Sequence, residues 1–80
     1  MPAPFSTFVM GLASAALIDL GLVEDPVSKT KRVNRDHARS HIELLAMLKE
    51  KTRGNLTEEE KALLEQALTD LRMQFARLPG

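Results

Sequence analysis

The chain has no cysteine, no tryptophan and no tyrosine, and its only aromatic residues are three phenylalanines. Without cysteine there is no disulfide, no thiolate metal site and no thiol nucleophile. An excess of charge of either sign is also missing. Eleven Lys and Arg oppose eleven Asp and Glu, for a formal net charge of zero. No strong overall field therefore draws the chain to nucleic acid or anionic lipid. Long hydrophobic runs are absent as well. The uncharged stretch from Pro4 to Ile18 falls short of the roughly twenty apolar residues of a membrane span. No basic residue precedes Lys29, where a secretory signal needs one ahead of its apolar segment. The expectation is a cytoplasmic protein without a membrane span.

What is present fits one small domain over residues 1–80. A composition of 44% hydrophobic and 28% charged residues is that of a folded chain, not a disordered one. So short a chain buries a modest share of its surface, which leaves regular helix packing or oligomerisation to supply stability.

Punctuation and periodicity predict three helices, at about 5–20, 35–53 and 58–78, with an irregular connection at 22–33. Gly21 ends the first helix in the manner of a left-handed C-terminal residue. Asn34 is placed as the N-cap of the second, with Asp36 in its first turn and Lys49, Lys51 and Arg53 in its last. Gly54 stops that helix. Thr57 and Glu60 then form a capping box, the Thr hydroxyl taking an early N–H while the Glu side chain reaches back.

The third helix carries Leu64, Ala67, Leu68, Leu71, Phe75 and Leu78 on one stripe, and the second carries Ala38, Ile42, Leu45 and Leu48. The first helix is different. Phe5, Phe8, Val9, Leu12, Ala16 and Leu20 make one face, yet Met10, Leu17 and Ile18 point elsewhere. A helix apolar all round has to be surrounded, and two neighbours cover about half of it. The predicted fold is therefore all-α: an antiparallel hairpin of the second and third helices, packed with an apolar first helix and completed by oligomerisation. Thr7, Gly11 and Ser14, at steps of four and three, would let another helix approach closely. Together with Met10, Leu17 and Ile18 they form the expected interface, whether with a second copy in a homodimer or with a larger protein.

The stretches FSTFVMGLASAALIDLG, EDP, IELLAMLKEKTRGNLTEEE and LLEQALTDLRMQF resemble a family of small bacterial proteins catalogued as a domain of unknown function, number eighteen-forty-four. The resemblance implies a small, mostly helical protein with no assigned activity, and it brings no catalytic residues with it.

Chemistry is sparsely signalled. His37 and His41 lie one turn apart, a spacing that suits a metal ion, but no third ligand is implied and the helix lacks the Glu that a metalloprotease uses as base. They are read as histidines at the edge of a core, with no metal site. Asp19 falls at the C-terminal end of the first helix, against the negative end of its dipole. Arg72 is the expected partner in a structural ion pair, with Arg53 as the alternative and simple solvation as a third case. There is no glycine-rich phosphate loop and no convergent acid–base pair, so no catalytic residue, cofactor or enzymatic activity is expected. Lys29, Lys31, Arg32, Arg35 and Arg39 form a local basic cluster with no aromatic residue interleaved to stack bases. Nucleic-acid binding is accordingly not the expected role. The favoured reading is a protein-interaction or oligomerisation domain, the alternative an RNA- or ribosome-associated accessory protein using the basic 29–39 region.

Overall fold

The computed structural model describes residues 4–79. They form α1 (Pro4–Asp19), α2 (Arg35–Lys51) and α3 (Glu58–Ala76), with no strand among the described residues. Leu20 and Val33 make one isolated antiparallel bridge.

Each helix stops for a local reason. After α1, Gly21 takes a φ of 76°. Its N–H donates to the Ile18 carbonyl at 3.0 Å, and the Leu22 N–H donates to the Leu17 carbonyl at 3.0 Å. That pair of bonds is a Schellman motif with glycine in the left-handed position. The Asn34 side chain accepts from the His37 N–H at 3.1 Å and caps α2. At the other end, the Thr52 N–H (2.9 Å) and hydroxyl (2.6 Å) both donate to the Leu48 carbonyl. This double contact ends α2 at Lys51, short of the expected 53. The capping box of α3 is complete: Glu60 N–H to Thr57 Oγ1 at 3.1 Å, Thr57 N–H to Glu60 Oε1 at 2.9 Å. At its far end, the Arg77 and Leu78 N–H groups turn back to Gln74 and Phe75 carbonyls, a tightened last turn that closes α3 at Ala76.

All three helices pack against one another. The α2–α3 pair is an antiparallel hairpin in strict register. As the α2 partner moves back from Lys49 through Arg39 to Arg35, the α3-side partner advances from Glu65 through Phe75 to Pro79. The core divides evenly: Val9, Ala16 and Leu20 from the α1 segment, Ala38, Ile42 and Leu45 from α2, and Leu64, Leu68 and Leu71 from α3. Both amphipathic stripes expected for α2 and α3 are therefore realised.

The rotation of α1 differs from expectation. Phe8, assigned to the inner face, is 54% exposed, whereas Leu17, assigned to the interface, packs partly buried against the core. At 100° per residue, the buried arc centred on Val9 and Ala16 extends towards Ala13 and Leu17. Contact with two helices at once sets that arc, and it leaves Phe8 at the margin.

The connection at 20–34 is folded upon itself. Asp25 Oδ1 accepts the Val27 and Ser28 N–H groups at 2.7 and 3.2 Å. The Lys29 N–H reaches the Asp25 carbonyl, and the Asp25 N–H reaches the Thr30 carbonyl. The base of the loop is latched by the Asn34 N–H donating to the Asp19 carbonyl at 2.7 Å.

Candidate functional site

Of the residues assigned to an interface, α1 presents Thr7, Met10, Gly11 and Ser14 to solvent, while Ile18 is half-buried beside them. Met10 is 53% exposed on one margin of this face and Phe8 lies on the other. No residue of α1 before Asp19 carries a charge. A Cβ added at Gly11 would meet no atom within 4 Å, so nothing inside the chain requires glycine there.

Asp19 and His41 come together at the junction of α1 and α2. Asp19 Oδ2 lies 2.6 Å from His41 Nδ1. The same nitrogen lies 3.1 Å from the His37 carbonyl oxygen. Since both neighbours are acceptors, Nδ1 carries the hydrogen and donates to them. This corrects the expected Asp19–Arg72 pair. The last residue of α1 meets His41 in the second turn of α2, whereas Arg72 lies in α3 beside Arg39, Ile42 and Phe75. Arg53, the other candidate, pairs with Glu50 at 2.6 Å. His37 is exposed one turn away. Among the described residues no group of three or more His, Asp or Glu side chains is arranged to hold a metal ion.

The basic cluster of 29–39 divides in two. Lys29, Lys31 and Arg32 belong to the exposed loop, with Lys29 at a φ of 61°. Arg35 and Arg39 turn to α3, where their Cζ atoms lie 5.6 and 5.7 Å from the centroid of the Phe75 ring. No aromatic residue lies within the 29–39 sequence, because Phe75 arrives from the other arm of the hairpin. A spacing rule along one segment has no access to that pairing. Only the register of α2 against α3 reveals it.

A cleft of about 510 Å³ opens beside the α2–α3 turn, where Lys49, Arg53 and Lys61 face Glu58 and Glu65 over Leu56 and Leu64. Its opposing charges are nearly balanced, and Lys49 and Glu65 approach within 3.9 Å.

A family model described as "Domain of unknown function (DUF1844)" matches residues 2–77. The chain belongs to this family. No curated protein and no solved structure matches it. Within this DUF1844 chain, the stretches that carry the resemblance have identifiable structural duties. The segment KTRGNLT forms the end of α2, the turn at Gly54 and the cap at Thr57, while IDLG forms the Schellman end of α1. No helix among the described residues is long and apolar enough to cross a membrane.

Proposed function

We propose that this domain is a cytoplasmic association module without chemistry of its own, and that the outward face of α1 packs against a second copy of the chain. The observation that carries this reading is the exposed, uncharged face bearing Phe8, Met10, Gly11 and Ser14. An uncharged helix face of small residues flanked by two exposed apolar side chains suits close packing against another helix. Glycine inside a helix costs about 1 kcal/mol relative to alanine, and the space beside Gly11 is unused within the monomer. Close approach of another helix gives that glycine a purpose.

A second copy is the favoured occupant because the strip is self-complementary. It carries no charge that would select an oppositely charged partner, and two-fold packing sets the same small residues against each other on both chains. The acid–base groups fit a non-catalytic role: Asp19 and His41 are engaged with one another, and no polar side chain of the described residues is fully buried.

Sedimentation equilibrium of wild type and Gly11→Leu tests the proposal. A dimer at micromolar concentration that dissociates in the mutant supports it. A wild type that stays monomeric overturns the second copy as occupant and assigns the face to another protein.

A further inference from the structure

Three arginines converge where α2 meets the end of α3. Arg35 and Arg39 stand on successive turns of α2, each with its guanidinium over the Phe75 ring. Arg72 lies one turn before Phe75 and, with Arg39, rims a small depression of about 120 Å³ floored by Ile42, Phe75 and Ala76. Arg35 donates to the Pro79 carbonyl. Among the described residues no carboxylate pairs with any of the three, the ion pairs being Asp19–His41, Lys49–Glu65 and Glu50–Arg53.

Like charges four residues apart on a helix repel weakly, and an anion that joins the cluster relieves that repulsion. A guanidinium held over a ring by cation–π attraction keeps N–H groups for planar or tetrahedral oxygen acceptors. The apolar depression between Arg39 and Arg72 also offers a flat body a place to rest.

We propose that Arg35, Arg39 and Arg72, gathered around Phe75, form a binding site for single-stranded RNA. Successive phosphates take the guanidinium N–H groups, and an unpaired base lies over the depression between Arg39 and Arg72, above Ile42 and Ala76. The combination favours RNA over an acidic protein segment. A nucleotide brings a phosphate and a planar face together, and arginine planes and aromatic rings are the surfaces on which unstacked bases settle. A carboxylate side chain supplies the charge but nothing for the depression. Duplex RNA supplies phosphates but keeps its bases stacked. The site is separate from the proposed dimer face: on α2, His41 turns to α1 while Arg39 turns to α3.

The test is fluorescence anisotropy of a labelled single-stranded oligouridylate with the full chain over a range of potassium chloride concentrations. At about −0.7 per phosphate for single strands, three contacts give a log–log salt slope of about −2. Arg39→Gln/Arg72→Gln, at two exposed positions, should weaken binding at least tenfold and flatten the slope to about −0.7, with an unchanged melting curve. Arg39→Lys/Arg72→Lys should retain the slope yet weaken binding, because charge is kept and the planar stack is lost. No binding at low salt, or wild-type affinity in the Gln variant, overturns the proposal. Competition by polyglutamate or by duplex RNA as effective as that by the single strand also overturns it, and marks the cluster as a general charge patch.

Discussion

His41 Nδ1 donates across 2.6 Å to Asp19 Oδ2, joining the last residue of α1 to the second turn of α2. A carboxylate in the final turn of a helix opposes the dipole, and the imidazole N–H offsets that. Both side chains are largely sheltered, at 27% and 14% exposure for His41 and Asp19, so the bond exceeds a surface contact in value. Asp19→Ala and His41→Ala should each lower stability by about 1–2 kcal/mol. The double mutant should lose clearly less than the sum. Urea denaturation of the four proteins measures this, and fully additive losses would mean that the two side chains are not coupled.

Gly21 has both a conformational and a steric reason to be glycine. Its φ is 76°, and an added Cβ would lie 3.0 Å from Val33 Cγ2. Gly54 has a φ of 85° but open space around it. Gly54→Ala should therefore cost about 1 kcal/mol, from the left-handed backbone alone. Gly21→Ala should cost more, about 2 kcal/mol, because Val33 has to yield as well. Thermal melts rank them. Equal losses would show that Val33 moves aside freely.

The features legible in the sequence were those governed by neighbours along the chain. Thr57 with Glu60, Asn34 before Arg35 and Gly21 after Leu20 all act within a few residues, and each sits where local chemistry places it. The stripe from Leu64 to Leu71 follows from helical period alone. What was not legible depends on how one helix turns and slides against another. Rotation of α1 exchanged Phe8 for Leu17, its pairing with α2 gave Asp19 to His41 instead of Arg72, and the α2–α3 register carried Phe75 to Arg35 and Arg39. Charge complementarity suggested an arginine for Asp19, but proximity in the fold decided for a histidine.

Thr57→Ala should lower stability by about 1 kcal/mol. It removes the oxygen that accepts the Glu60 N–H and leaves the reciprocal bond from the Thr57 backbone to Glu60 in place. For a domain of this size the loss lowers the melting temperature by about 4–8 °C. A circular-dichroism melt unchanged from wild type would show that the hydroxyl bond contributes nothing.

Gly11→Ala separates folding from association. With no atom within 4 Å of the new methyl, the isolated chain should gain about 0.5–1 kcal/mol from the helical preference of alanine. Urea unfolding at dilute protein concentration reads that gain. A loss at the same dilution would mean that the methyl meets an obstacle inside the monomer.

The even three-way division of the core has a consequence for synthesis. During translation α1 is made before α2 and α3, yet its buried residues share one core with side chains as far along as Leu71. At roughly 5–20 residues per second, that final contact arrives about 3–10 s after Asp19 has been added. Until then the segment, with no charge before Asp19, lacks the α3 side of its core. Such a segment invites a holding chaperone or premature pairing between neighbouring nascent chains, and the hazard ends only when α3 closes over it.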